Sequence, residues 1–150
     1  MFRYASTFKE IGDVMIKYRH RGERLIMDYA KENCSLREAK HVEDVSRRML
    51  DVFPSDSMCA LKLTSLGSRE SPDKAYLSAV KIVKDAVHRD IKVLIDAEDV
   101  LYPKIVKSLM EEYNTKDRVH VYQTYQMYRR KALDELLYDI EDAYNKKYML

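Results

Sequence analysis

The 150-residue chain has only three glycines and three prolines, too few turn-formers for an immunoglobulin-like sandwich or a small antiparallel barrel. Its two cysteines, Cys34 and Cys59, make no disulfide framework. Neither stands in a CxxC pair or at metal-ligand spacing from a histidine, so no metal is expected. Both read as small apolar residues of a reducing compartment. No apolar run approaches the roughly 20 residues of a membrane span. An excess of one charge is missing too. The 27 basic and 25 acidic residues are interspersed, for a net charge of +2. A nucleic-acid partner would call for a clustered basic face instead. The N-terminal stretch MFRYASTFKE is short and soon acidic, with no clear transit peptide.

What is present is a globular balance of 46% hydrophobic and 35% charged residues, in a length that suits one domain with its own core. Apolar residues recur at helical spacing from Ser6 to His20, with Gly22 behind a basic end as a stop signal. Four apolar runs, over about 25–30, 59–66, 91–97 and 119–126, read as buried strands. Helical patterns follow each of them: Ser35 to Asp51, Ser71 to Arg89, Tyr102 to Tyr113 and Arg130 to Lys147. Ser35 and Glu38 have the spacing of a capping box, and Pro72 falls in a first turn. Leu133, Leu136, Leu137, Ile140 and Tyr144 are expected on the core face of the last helix.

The order is therefore one helix and then four βα units, with strands about 28 to 36 residues apart. Such spacing suits parallel strands with crossover helices. It leaves a doubly wound sheet or a (βα)8 barrel. No GxGxxG or Walker loop follows any strand, which weakens the nucleotide-binding doubly wound fold. A complete barrel takes about 250 residues, so this chain supplies half of one.

Each strand carries its odd polar residue toward its C-terminal end: Asp28, then Lys62 and Thr64, then Asp96 followed by Glu98, then Gln123, Thr124 and Gln126. In a βα barrel that end is where active sites are built. Taken singly, an aspartate at a strand end is more often a cap or loop residue, and a lysine in a strand more often a snorkelling edge residue. Their recurrence in every unit points to a ligand site of unspecified chemistry.

Four segments are more specific: LIMDYAKEN (25–33), ALKLTSLG (60–67), VLIDAED (93–99) and TYQMY (124–128). In this order and spacing they resemble segments of the proline dehydrogenase family. The resemblance implies a partial (βα)8, TIM-like barrel of the α/β class. It also implies FAD as cofactor, L-proline as substrate, Δ1-pyrroline-5-carboxylate as product and a quinone as electron acceptor. Under it, Lys62 pairs with the substrate carboxylate, Asp96 holds the polar network of the site, and Gln126 contacts the flavin. Asp28, Tyr29 and Glu98 match family positions without an assigned role. Tyr125 and Tyr128 are placed in the core in preference to stacking on the flavin. The family's RLVKGAYW-like segment and YxxRR arginine pair are not in these 150 residues. Met127 to Lys131 reads as a solvated helix start, not as that pair. Three explanations stay open: a fragment of a longer enzyme, the product of a split or decaying gene, or a half-barrel that self-associates to cover its sheet edges. The resemblance implies a mitochondrial setting, with the cytoplasm as the alternative.

Overall fold

The computed structural model describes residues 7–98 and 102–149. Helix starts follow local chemistry. Helix α1 (Phe8–Arg19) is capped by Thr7, whose hydroxyl accepts from the Glu10 amide. The expected start at Ser6, and most of the N-terminal stretch, lie outside the described residues. Helix α2 (Leu36–Leu50) opens with the capping box: Ser35 accepts from the Glu38 amide, and the Glu38 carboxylate accepts from the Ser35 amide. These backbone and side-chain bonds, with Lys31 alongside, pull the Glu38 carboxyl down to about 2. Helix α3 (Pro72–His88) carries proline in its first turn, where the missing N–H has no intrahelical partner to lose. Helices α4 (Pro103–Tyr113) and α5 (Ala132–Lys146) complete the set.

The strands are β1 (Ile26–Asp28), β2 (Met58–Leu61), β3 (Lys92–Ile95) and β4 (Val121–Gln123). They form one parallel sheet in the order β1-β2-β3-β4. Sequential order with right-handed crossovers puts the connecting helices on one face. Met27, Cys59, Leu61, Val93, Ile95 and Val121 point to that face and are almost fully buried. They join Val42, Leu50, Ile82, Val83 and Leu109 of the helices in one apolar cluster. The alternate residues Ile26, Asp28, Met58, Ala60, Lys92, Leu94 and Tyr122 are half-buried or exposed on the opposite face. The chain is thus an α/β fold, a partial TIM-like barrel with its interior side uncovered. Between α2 and α3 the buried Glu43 carboxylate accepts from Ser78 Oγ at 2.6 Å and Lys81 Nζ at 3.0 Å.

Three expectations need correction. The second apolar run does not continue as a strand to Leu66. The β2 ladder ends at Leu61, and Leu63–Leu66 form a 3-10 turn. Ser65 Oγ donates to the Lys62 carbonyl at 2.6 Å, and Gly67 ends the turn at φ +77°, where the left-handed region favours glycine. An added Cβ there would stand 3.0 Å from Leu36 Cδ2. The stripe on α5 is real, but its partner is not: Leu133, Leu137, Ile140 and Tyr144 are exposed, Tyr144 to 83%. The buried side of α5 is marked by Ala132 and Ala143 instead. Periodicity locates an apolar stripe without showing whether anything covers it. For the same reason Tyr128, placed in the core from the sequence, is 83% exposed, in the turn between β4 and α5.

Asn114 secures the last βα unit. Buried behind α4, its amide nitrogen donates to the carbonyls of Val121 and Met149, both at 2.8 Å. Its oxygen accepts from the amides of His120 at 3.0 Å and Val121 at 2.9 Å. Asn114→Ala strips three buried backbone groups and one partly buried group of this partner. It is expected to lower the unfolding free energy by about 3 kcal/mol, read as a lower urea midpoint.

Candidate functional site

The register sets the geometry of the C-terminal rim. Leu61, Ile95 and Gln123 are level across β2, β3 and β4. The next residue of each chain segment, Lys62, Asp96 and Thr124, therefore leaves the sheet at one height. Asp28, the last residue of β1, is paired with Ala60, two positions before Lys62. A lysine side chain spans that offset easily. Lys62 Nζ lies 2.7 Å from Asp96 Oδ2 and 3.3 Å from Asp28 Oδ2. Its side chain is only 10% exposed, against 43% for Asp28 and 38% for Asp96. Thr124 Oγ1 stands 3.3 Å from Asp96 Oδ1 and accepts from the Ala97 amide at 2.6 Å.

Burial alone opposes the charged form of Lys62. The hydrogen bond that Lys62 donates to Asp96 and the negative charges of Asp28 and Asp96 outweigh it and hold the ammonium above its ordinary pKa. Lys62 is thus a fixed cation and not a base at neutral pH. Cys59 lies one strand position from this cluster and is inert as a nucleophile. Burial, with the Asp28 charge adding to it, pushes its thiol up to about 12.

Beside the cluster a cavity of about 520 Å3 opens over the ends of β3 and β4. Its wall includes Asp96, Glu98, Tyr102, Gln126 and Arg129. The volume falls within the usual range of small-molecule sites, roughly 300–1,000 Å3. Asp96 is where cavity and cluster meet; Lys62 and Asp28 stand on the open sheet face beside it. Gln126 Nε2 donates to the Ala97 carbonyl at 3.1 Å, which fixes the side chain at the rim. An amide in a cavity wall that also contains tyrosines fits the edge of a flavin ring, which presents both donors and acceptors. Among the described residues no group of three or more His, Cys, Asp or Glu side chains has a metal-binding arrangement.

All three sequence-derived site residues lie on this rim. Lys62 and Asp96 are in contact, and Gln126 is tied to the residue after Asp96. Asp28, left without a role from the sequence, turns out to share the lysine. Tyr125 and Gln123 both donate to Asp139 Oδ2, at 2.8 and 3.0 Å. That contact comes from α5, and spacing alone carried no signal for it. Met127 to Lys131, expected as a solvated helix start, form a turn ahead of α5, and there Arg129 is half-buried in the cavity wall and pairs with Glu135.

The family model for proline dehydrogenase matches residues 11–150. Over 66 residues the chain is 36% identical to proline dehydrogenase 1, mitochondrial, of Drosophila melanogaster, a match that covers 41% of this chain and 10% of the fly protein. Among solved structures it resembles proline utilization A from Bdellovibrio bacteriovorus inactivated by N-propargylglycine. There the TM-score is 0.75 at 14% identity, over 92% of this chain and 18% of that one. The D778Y mutant of proline utilization A from Bradyrhizobium japonicum gives a TM-score of 0.66 at 14% identity, over 88% of this chain and 16% of the other. The two structures speak for the fold, and the chain spans a small part of each relative.

Removing the shared cation leaves two carboxylates facing each other. Lys62→Met is expected to lower the urea midpoint between pH 6 and pH 9. Because the folded pKa of Lys62 is raised, its contribution is full below the unfolded value of about 10.4 and fades as pH rises through the folded value. The gap between variant and parent should therefore narrow above about pH 10.4; a gap that widened there would contradict the assignment.

Proposed function

Because the chain belongs to the proline dehydrogenase family, we propose that its rim forms part of a site that oxidises L-proline to Δ1-pyrroline-5-carboxylate with FAD. The observation that carries this reading is the Lys62 ammonium held at the barrel rim between Asp28 and Asp96. An ammonium has three donors. Two are directed at the aspartates, and the third suits the substrate carboxylate. Proline is a zwitterion, and its ring ammonium matches the excess negative charge of the two aspartates. One cation among two carboxylates does not hold a carboxylate unaided, so binding calls for further cations. The family's arginine pair, absent from these 150 residues, is the candidate.

The chemistry that FAD supplies when bound is acceptance of the two electrons released when the ring C–N bond of proline becomes C=N and two protons depart. Lys62 serves as the carboxylate anchor, which fixes the ring relative to the cavity. Asp96 orients Lys62 and keeps it charged. Gln126 contacts the flavin ring through its amide. The wider setting we propose is proline catabolism to glutamate at the mitochondrial inner membrane, with a quinone as the final acceptor.

A second reading is favoured by the uncovered α5 stripe and the two free edges of the sheet. Unpaired parallel edges are sites for strand addition. In this reading the chain is a catalytically silent half-barrel that self-associates.

One preparation separates the two. The purified chain is mixed with FAD, freed of unbound cofactor, and its visible spectrum is recorded before and after L-proline. A retained flavin band that bleaches with proline supports the first reading. Lys62→Ala should then slow the bleaching by at least about 100-fold at fixed proline. A chain that sediments as a dimer or larger species and retains no flavin supports the second reading. A monomer that keeps FAD counts against it.

A further inference from the structure

Glu98 lines the cavity, yet both of its carboxylate oxygens are turned to Thr64. Oε2 accepts from the Thr64 amide at 2.9 Å, and Oε1 accepts from the Thr64 hydroxyl. Thr64 is 1% exposed and bonds in two further directions. Its hydroxyl oxygen accepts from the Asn33 amide at 3.2 Å, and its carbonyl accepts from the Cys34 amide at 3.0 Å. The loops that follow β1, β2 and β3 thus meet on one threonine. A hydroxyl has one donor and two acceptor sites, so both the Glu98 and the Asn33 bonds are open to it at once.

The spacing gives this junction a consequence for the charged cluster. Thr64 stands two residues after Lys62, and Glu98 two residues after Asp96. Asn33 lies five residues after Asp28, at the far end of the same loop. Each member of the Asp28–Lys62–Asp96 cluster is therefore followed at once, or within one short loop, by an anchor on Thr64. The strands ahead of the cluster fix height through their register. Past the strand ends the sheet supplies one more tie between β2 and β3, from the Asp96 amide to the Leu61 carbonyl at 3.0 Å, and beyond it the Thr64–Glu98 bonds hold the two segments together.

We infer that Glu98, acting through Thr64, is a positioning residue that keeps Lys62 against Asp96 and Asp28, and that Glu98 makes no contact with substrate. The inference uses the proposed function only for its consequence, since a displaced Lys62 would mis-seat the substrate carboxylate. The contacts themselves stand without it. Glu98→Gln is nearly isosteric but replaces a two-oxygen acceptor by one oxygen and an amide. Thr64→Val removes both hydroxyl bonds at constant shape, and Thr64→Ser restores them.

The test reads Lys62 directly and needs neither flavin nor proline, so its outcome is separate from that of the flavin experiment. The full chain is treated with a limiting amine-acetylating reagent at pH 8 and digested. Modification of Lys62 is measured by mass spectrometry relative to the exposed Lys116. Acetylation requires the neutral amine, so an ammonium held by two carboxylates reacts slowly. In Glu98→Gln and in Thr64→Val the Lys62:Lys116 ratio should rise about fivefold, because an ammonium drawn away from its two carboxylates gives up its proton more readily. Thr64→Ser should keep the parent ratio. An unchanged ratio in both Glu98→Gln and Thr64→Val overturns the inference. So does an equal rise at the half-buried Lys31, Lys92 and Lys107, which would mark a residue needed for folding as a whole.

Discussion

Four parallel strands laid down in sequence order, each joined to the next by a right-handed crossover, can carry their helices on one face alone. That constraint divides the side chains of the sheet. One alternate set, with Met27, Cys59, Leu61, Val93 and Ile95 in it, is sealed against the helices and supplies the apolar core. The other set stays half-buried or exposed, and there charged residues are tolerated. Asp28 and Lys92 belong to it within the strands, and Lys62 and Asp96 follow just past the strand ends. The site is thus a by-product of topology: parallel strands in register end together, and the first residues past their ends are forced into company.

Company between charges is costly without a shared counterion, and the structure meets that cost locally. Lys62 is the most enclosed of the three charged groups and is also the one with two opposite charges beside it. Glu43 at the α2–α3 contact follows the same rule, with Ser78 and Lys81 on a carboxylate that is only 6% exposed. In both places a buried charge is held in its ionised form by donors or charges from a neighbouring element. Each such group therefore also reports that the elements carrying it are properly packed.

Much of this could be read from the sequence. The capping box at Ser35 and Glu38, the proline in the first turn of α3 and the four βα units rest on local spacing, and local spacing is what a sequence displays. The odd polar residue at each strand end was equally visible. What escaped depends on partners distant in the chain. Nothing near residue 133 says whether a stripe of leucines will find a neighbour, and here it does not. The run from Met58 to Leu66 is interrupted by Lys62, Thr64 and Ser65, and its second half coils into a 3-10 turn held locally by Ser65 and Gly67 and, from far along the chain, by the Cys34 amide and the Glu98 carboxylate on Thr64. The role of Asp28 needed the strand register, which places it within reach of a lysine 34 residues away.

The junction on Thr64 also bears on how freely the rim can vary in length. Between Lys62 and Thr64, and between Asp96 and Glu98, a single inserted residue would move the anchor off its partner and turn the neighbouring side chain to the wrong side. Beyond Gly67, on the way into α3, the ties run through the long side chains of Arg69, which donates to Asn33, and Glu70, which accepts from the Leu36 amide, and such reach absorbs a change in count more readily than a bond to the Thr64 backbone. Loop-length variation among chains with this fold should therefore gather downstream of the threonine and the glutamate, while the dipeptide steps that precede them keep a constant length. The barrel rim would then behave as two concentric zones, an inner one of invariant spacing and an outer one open to insertion.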